Sequence, residues 1–331
     1  MSRSSASGNG AARVAVVGAP TVDGSHLREA LAKHGVPGAR VDLYGTTRGE
    51  VVLSEYAGEA RMIQEPELDE VAGHELIFLC ECGKLARGLS TAAAGSVIID
   101  LKDCLPAEAQ ARRVLLEIEP GVAQDDRRFA VAHPLALVLA EALAPLDRRF
   151  GLREAMAVVL RPAADFGDRG VEELRQQTVG LLSFAQVPTE LFGGQLAFNI
   201  LPQADVGEAQ RGLEQRIDRE VAELLGWSER HFTAKLLTAP MFHGHGLQLR
   251  FRLKSHAEPE AVEQVLEEAG LLPSSSAAVA TPLDVTGEMR TSLSVPSVDG
   301  IGGFWMWGVA GETGSRGAQQ AVRLAAALFD L

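Results

Sequence analysis

The residues with most chemical promise lie in one stretch, Leu237-Thr-Ala-Pro-Met-Phe-His-Gly-His-Gly246. Two histidines, two glycines and a proline meet there in apolar surroundings. Imidazole is the side chain most easily poised for proton transfer near neutral pH. The following residues, Leu247-Gln-Leu-Arg-Phe-Arg-Leu253, alternate apolar and polar and predict a half-buried strand. His243 and His245 are therefore expected in a turn that feeds a strand, with Gly244 and Gly246 letting the backbone bend and approach a neighbour. His245 is the candidate acid/base. The competing reading is a turn histidine satisfied by hydrogen bonds.

The other groups able to do nucleophilic or metal chemistry are Cys80, Cys82 and Cys104. An odd, sparse set suits a reducing cytosol better than a disulfide framework. Cys80 and Cys82 flank Glu81, but two thiols alone do not make a zinc site, so no metal is expected and buried or strand-end cysteines are the simpler reading.

These groups need a scaffold. Arg13-Val-Ala-Val-Val-Gly18 reads as an apolar strand entering a turn, residues 26–34 as a helix, and Gly38–Gly45 as a second strand. That is a βαβ unit, the opening of a nucleotide-binding fold. Leu76–Cys80 and Ser96–Asp100 add strands around an Ala-rich helix, Leu85–Ala94, and their doubly apolar faces predict a buried parallel sheet. Further on, strands are predicted at Val114–Glu119, Phe129–Pro134 and Glu154–Leu160, and helices at Leu135–Leu146, Val171–Leu182 and from Leu213 to Leu224. Asp168-Arg-Gly170 and Pro273–Ala277 read as loops. Phe304, Trp305, Met306 and Trp307 form an apolar cluster that reads as core. A final helix, about Gln319–Phe329, is expected to return to the first domain.

The first turn departs from a dinucleotide fingerprint. Gly18 and Gly24 hold two of its glycine positions, but Thr21 takes the middle one. Pro20 removes an N–H that would face a phosphate, and Asp23 sets a carboxylate at the helix N-terminus. Past the second strand, Thr46 and Arg48 offer a hydroxyl and a guanidinium for a 2′-phosphate, favouring NADP over NAD; a solvated turn arginine is the alternative. NADP binding is thus expected to be weakened.

The chain of 331 residues carries a net charge of −13, which disfavours nucleic acid and anionic membrane as partners. Nothing apolar runs for the ~20 residues of a spanning helix. Residues 1–12 read as a flexible tail without the apolar core of a secretory signal. The expected location is the cytoplasm. The expected domains are residues 13–132 with 312–331, and 133–311.

Several segments together resemble the aspartate-semialdehyde dehydrogenase family. They are the Val14-Ala-Val-Val-Gly opening, Gly170-Val-Glu-Glu-Leu174, Gln195-Leu-Ala-Phe-Asn-Ile-Leu-Pro202, Ala239-Pro-Met-Phe-His-Gly-His245, Thr281-Pro-Leu-Asp-Val-Thr-Gly287 and the Trp305–Ala325 ending, in the family's order over nearly the full length. The resemblance implies an α/β homodimer with an NADP-binding Rossmann-type domain and a mixed-sheet domain for catalysis and dimerisation. It also implies a cysteine nucleophile and a histidine acid/base that reduce an acyl phosphate in amino-acid biosynthesis. Matched residue by residue, most of that chemistry is missing. The segment His133-Pro-Leu-Ala136 sets Ala136 where the thiol belongs. The glutamine partner falls at about Val158, and Arg161-Pro-Ala-Ala164 replaces a glycine-rich turn. The substrate-binding arginines fall on Thr238 and near Leu105 or Pro106, and Gly311-Glu312 stands where a cofactor-touching pair is expected. His245 and, on the cofactor side, Arg48 remain, and Glu220 fits an acidic helix position. The pattern resembles the Usg-type branch, which lacks the cysteine.

Three functions follow as expectations. The first is a dimeric pseudoenzyme that keeps the fold for binding or regulation, its small-molecule ligand unknown. The second is an NADP-dependent oxidoreductase using His245 as proton donor on an aldehyde or oxo substrate. The third makes one of the three cysteines a relocated nucleophile.

Overall fold

The computed structural model describes residues 12–46, 52–116, 126–203, 211–228, 231–272, 279–329 and 331. The chain divides into two compact units: one runs up to Ala132 and takes in Gly317–Leu331, and the other is His133–Arg316. Residues 1–11 of the expected tail, Arg48 and the Pro273–Ala277 loop lie outside the described residues, while Ala12, the last residue of that tail, is buried.

The first unit opens with β1 (Val14–Val17), α1 (Val22–His34), β2 (Val41–Tyr44), the hairpin β3 (Val52–Tyr56) and β4 (Glu59–Ile63), α2 (Leu68–Ala72), β5 (Leu76–Leu79), α3 (Lys84–Ala92), β6 (Val97–Asp100) and β7 (Arg128–Ala130). Five strands form a sheet in the order β2-β1-β5-β6-β7, every pair parallel. Its central strands β1, β5 and β6 are buried on both faces, as their uninterrupted apolar runs require. Ala15, Val17, Ile77, Leu79 and Ile98 pack with Val71, Ala86 and Leu89 from α2 and α3.

The second unit continues with α4 (Pro134–Phe150), β8 (Leu152–Arg161), α5 (Gly167–Leu182), β9 (Leu201–Pro202), α6 (Leu213–Leu224), β10 (Phe232–Thr238), β11 (His245–Leu253), α7 (Pro259–Glu268), β12 (Thr291–Leu293), β13 (Ser297–Val298) and β14 (Phe304–Ala310). The last helix, α8 (Arg316–Leu328), falls almost wholly in the first unit, where Gln320 donates to the Val114 carbonyl at 2.9 Å. The second sheet runs β12-β14-β11-β8-β10-β9, with β13 also on β14; β8 and β10 are parallel and the other pairs antiparallel. α4 packs on β11 and against α6 and α7, and α6 covers β10. On that covered face lie Ala155, Ala157 and Val159 of β8 with Leu247, Leu249 and Phe251 of β11, all buried. The alternate face carries Met156, 40% exposed, and half-buried Val158, Leu160, Trp305 and Trp307.

Five expectations are corrected here. Cys82 and Cys104 form a disulfide, their Cα atoms 5.0 Å apart. Their separation of 22 residues did not betray that both loops leave the same edge of neighbouring strands β5 and β6. Of the expected strand Val114–Glu119, residues 117–119 lie outside the described residues, and Val114 and Leu115 are buried without joining a strand; the nearby described pairing is a bridge from Arg112 to Phe129. Asp168-Arg-Gly170 is the first turn of α5, because Gly170 packs so closely that an added Cβ would lie 2.2 Å from the Ala163 carbonyl oxygen. His245 is no turn residue but opens β11, paired in the ladder with Ala310. The tryptophan cluster splits by strand parity: Phe304 and Met306 are core, while Trp305 and Trp307 face the other way.

Gly24 is the residue on which the first βα turn depends. A Cβ there would stand 2.2 Å from the Gly18 carbonyl oxygen. Gly24→Ala is expected to destabilise the protein by about 1–3 kcal/mol, the usual cost of overpacking. A urea denaturation midpoint equal to wild type would show that the turn relaxes freely.

Candidate functional site

His245 reaches the site from the first position of β11, on the helix-covered face. The residue beside it on β8 is Arg161, on the same face as Ala155, Ala157 and Val159 and almost completely buried. Val158, where a glutamine partner was expected, faces the other side of the sheet. After Arg161, Pro162 turns the chain into a short 3₁₀ turn, Ala163–Phe166, which carries Asp165 back over the strand end. The turn is pinned by Ala163 N–H to the Met241 carbonyl at 2.8 Å. Asp165 Oδ2 accepts from Arg161 Nε at 2.7 Å, and its carboxylate meets His245 Nε2 at 3.0–3.1 Å. Arg161 also donates to Gln203 Oε1 at 2.9 Å, and its guanidinium lies over the Phe166 ring. Burial alone would raise the Asp165 pKa. The charge and hydrogen bond of His245, then those of Arg161, overcome it and hold the carboxyl well below the usual range. Nδ1 of His245 is buried and, among the described residues, has no hydrogen-bond partner.

A second knot forms at the start of α4. Pro134 sits at N1, where its missing N–H costs nothing, and His133 caps the helix by accepting the Leu135 N–H on Nδ1 at 3.2 Å. The His133 N–H itself donates to Glu220 Oε2 at 2.6 Å, and Glu220 Oε1 takes Arg216 Nε at 2.7 Å. Glu220 is fully buried; spacing of four residues on α6 stacks it one turn from Arg216. His133 is driven down to about 3, first by burial, then by the charge of Arg216, with Arg161 and His245 adding to it against Asp165. It is therefore neutral at physiological pH. The charges of both knots thus bear on His133. Ala136, one turn into α4, is fully buried and supplies only a methyl group.

Of the expected site residues, His245 and Glu220 enter these knots, and Ala136 lies on the helix that His133 caps. Sequence reasoning missed Arg161, Asp165, His133 and Arg216, and with them two guanidiniums, one sharing Asp165 with His245 and one in the knot at α4. Both are ion-paired, to Asp165 and Glu220. Parity along β8 and the two i,i+4 charge pairs were the available signals. Thr238, buried on β10, is the ladder partner of Arg161, so the cation stands one strand over from where the resemblance sought one.

The candidate cofactor turn lies in the first unit. Gly18 has φ +85°, and Thr21 caps α1 by accepting the Gly24 N–H at 3.1 Å. The Gly18 and Ala19 N–H groups both go to the Tyr44 carbonyl, and that of Thr21 goes to the Gly18 carbonyl. Pro20 has none, so the turn from Gly18 to Thr21 has spent its backbone donors inside the chain. Pro20 also fills the space beside Gly45, where an added Cβ would meet its ring at 2.5 Å, one residue before Thr46. The Glu81 side chain covers Gly18, 2.9 Å from where a Cβ would stand, and Asp23 pairs with Lys102 at 2.7 Å. A pyrophosphate would meet the carboxylates of Glu81 and Asp23, while the N–H groups of Gly18, Ala19 and Thr21 point into the chain. These residues weaken the site for a dinucleotide. Cys80 is buried and its thiol pushed up, by burial first, which leaves no ready thiolate; the other two cysteines are joined to each other.

Residues 143–298 match the family model described as semialdehyde dehydrogenase, dimerisation domain. The USG-1 protein homolog of Azotobacter vinelandii is 29% identical over 265 residues, covering 77% of this chain and 78% of that one. The crystal structure of aspartate semialdehyde dehydrogenase II from Vibrio cholerae superposes with a TM-score of 0.81 at 21% identity, covering 96% of this chain and 98% of that chain. The structure of aspartate semialdehyde dehydrogenase with NADP from Candida albicans has a TM-score of 0.68 at 15% identity, over 96% and 98%. The fold is thus that of the semialdehyde dehydrogenases, a parallel dinucleotide-type sheet followed by a mixed-sheet domain. The curated relatives include USG-1 protein homologs and aspartate-semialdehyde dehydrogenases, so the chain resembles the aspartate-semialdehyde dehydrogenase family and, within it, the branch of the USG-1 protein homologs.

Removing one partner of a buried ion pair strands the other charge. Asp165→Asn is expected to cost about 3–5 kcal/mol in urea denaturation, because Arg161 loses its counter-charge; a loss below about 1 kcal/mol would place the pair in solvent. Acid sensitivity follows from His133. Its folded value of about 3 lies below the ordinary 6.5, so the unfolded chain binds more protons between them and stability falls as pH drops through that window. His133→Asn, which can still cap α4, should show a shallower loss of stability on acidification than wild type; an unchanged slope would contradict the burial of a neutral imidazole.

Proposed function

We propose that this chain is a homodimeric, catalytically silent member of its family, kept for binding or regulation and not for reduction of aspartyl phosphate. One observation carries the reading: the unit that holds His245 contains no cysteine, and a fully buried methyl group, Ala136, stands in the first turns of α4. Without a thiolate there is no thioester. Arg161 and Arg216 are paired with Asp165 and Glu220, so a doubly anionic substrate would have to displace existing ion pairs. Retention of the family's dimer is supported by the dimerisation-domain match and by the half-buried apolar face of the second sheet, Met156, Val158, Leu160, Trp305 and Trp307. The cofactor turn supports weak NADP binding at best. Among the described residues no helix is long and apolar enough to cross a membrane; a cytoplasmic location remains part of this proposal.

A second reading keeps one observation in its favour. An imidazole held at Nε2 by a carboxylate, with Nδ1 unpartnered, is the arrangement of an acid/base dyad. His245 would then be the proton donor to an aldehyde or oxo substrate of an NADP-dependent oxidoreductase.

Purified protein with NADPH and aspartyl phosphate is expected to give no turnover, and Ala136→Cys none either. Calorimetry should detect no NADP binding tighter than roughly millimolar. Steady NADPH oxidation that His245→Ala abolishes would establish the second reading. Light scattering should give a dimer; a monomer at micromolar concentration would remove the dimeric part of the proposal.

A further inference from the structure

The disulfide stands at the edge of the first sheet where a doubly wound fold normally presents its ligand crevice. Leu79 and Asp100 are ladder partners at the ends of β5 and β6, so the two loops that follow leave side by side. Cys82 lies three residues beyond Leu79 and is exposed; Cys104 lies four beyond Asp100 and is half-buried. The second loop is built around the Asp100 carboxylate. It accepts the N–H groups of Lys102 at 2.9 Å, Cys104 at 2.6 Å and Leu105 at 2.7 Å, which fixes Cys104 opposite Cys82.

Both loops also grip the glycine turn. Glu81 covers Gly18, the Thr21 hydroxyl reaches the Cys80 carbonyl at 3.4 Å as well as its nearer partner Gly18, and Lys102 pairs with Asp23 of α1. The covalent bond therefore closes a ring that runs from the glycine turn through the β5 loop, across to the β6 loop and back to α1. The other two closures are a long hydrogen bond and a partly exposed ion pair, individually weak. The third cysteine is a bystander: Cys80 is buried, with its thiol pushed up.

We propose that Cys82 and Cys104 are a reversible dithiol–disulfide pair that clamps the glycine-turn edge of the first unit when oxidised and releases it when reduced. The reductant is a low-molecular-weight or protein dithiol. Its thiolate attacks the exposed Sγ of Cys82; the bond to Cys104 breaks, and the Cys104 sulfur leaves with the electron pair and takes a proton from water. The second reductant thiol then attacks the mixed disulfide, freeing Cys82 as a thiol and leaving the reductant as a disulfide. Two electrons pass to the protein, and a small disulfide oxidant reverses the exchange. The inference stands whether or not the second unit catalyses anything.

The test uses the full-length protein equilibrated in glutathione buffers from oxidising to reducing, trapped by acid, alkylated and peptide-mapped. Cys82 and Cys104 are expected to become alkylated together in one two-electron transition, with Cys80 unlabelled while the protein stays folded. Hydrogen exchange of residues 18–24, 80–84 and 101–105 should quicken several-fold across the same transition, and Cys82→Ser should show the fast pattern under oxidising conditions. The proposal falls if the two thiols label independently at every poise, if millimolar dithiol leaves the bond intact in the folded protein, or if reduction leaves exchange of those segments unchanged. The wild-type titration decides the matter even if the variant does not fold.

Discussion

A carboxylate is held in the interior of the second unit between a guanidinium and an imidazole. Asp165 is the hinge of that arrangement. Left alone in an apolar setting it would take up a proton; between Arg161 and His245 it stays ionised. The ionised state in turn fixes what the neighbours do. Asp165 and Gln203 take donors of the buried Arg161, and Asp165 also orients His245 through Nε2. The same economy repeats at α4, where Glu220 serves both Arg216 and the His133 N–H. Two carboxylates, Asp165 and Glu220, are thus balanced by Arg161, Arg216 and the His245 imidazole. The local consequence is stability, with His245 tied into the scaffold through Nε2.

The first unit follows a parallel logic. In a dinucleotide site the first βα turn leaves its N–H groups pointing outward. Here the Tyr44 carbonyl takes two of them, Thr21 turns inward to cap α1, and Pro20 has none to offer. Glu81 and Asp23 then add negative charge where negative phosphate would come. The fold of a nucleotide-binding domain persists while its polar surface is turned to internal bonding, and the Cys82–Cys104 bond ties the same edge covalently.

Much of the fold was legible in the chain. The apolar runs of β1, β5 and β6 announced a parallel sheet, and helix periodicity marked α4, α5 and α6 within a few residues. The losses at Pro20, Thr21 and Asp23 were readable because each residue type has a stated role in a phosphate turn. The electrostatic network was not, since it depends on partners distant in sequence: His245 meets Asp165 from 80 residues away, and His133 meets Glu220 from 87. Arg161 is the instructive case. It continues the buried parity of Ala155, Ala157 and Val159, so its burial followed from the strand alone, but its need for a carboxylate pointed to Asp165 only once the Pro162 turn was known. The disulfide was hidden for a similar reason. Cysteine counting speaks to a framework of several bridges, whereas this pairing follows from two strands being neighbours in the sheet.

The central claim is that the His245 imidazole serves the protein's interior. Nitrogen-15 NMR of histidine-labelled protein tests it most directly. The account predicts that His245 carries its proton on Nε2, donated to Asp165, that this proton exchanges slowly with water, and that the signal does not move when NADPH and aspartyl phosphate are added. A proton found on Nδ1 of the neutral ring, rapid exchange with solvent, or a shift on adding either compound would contradict it.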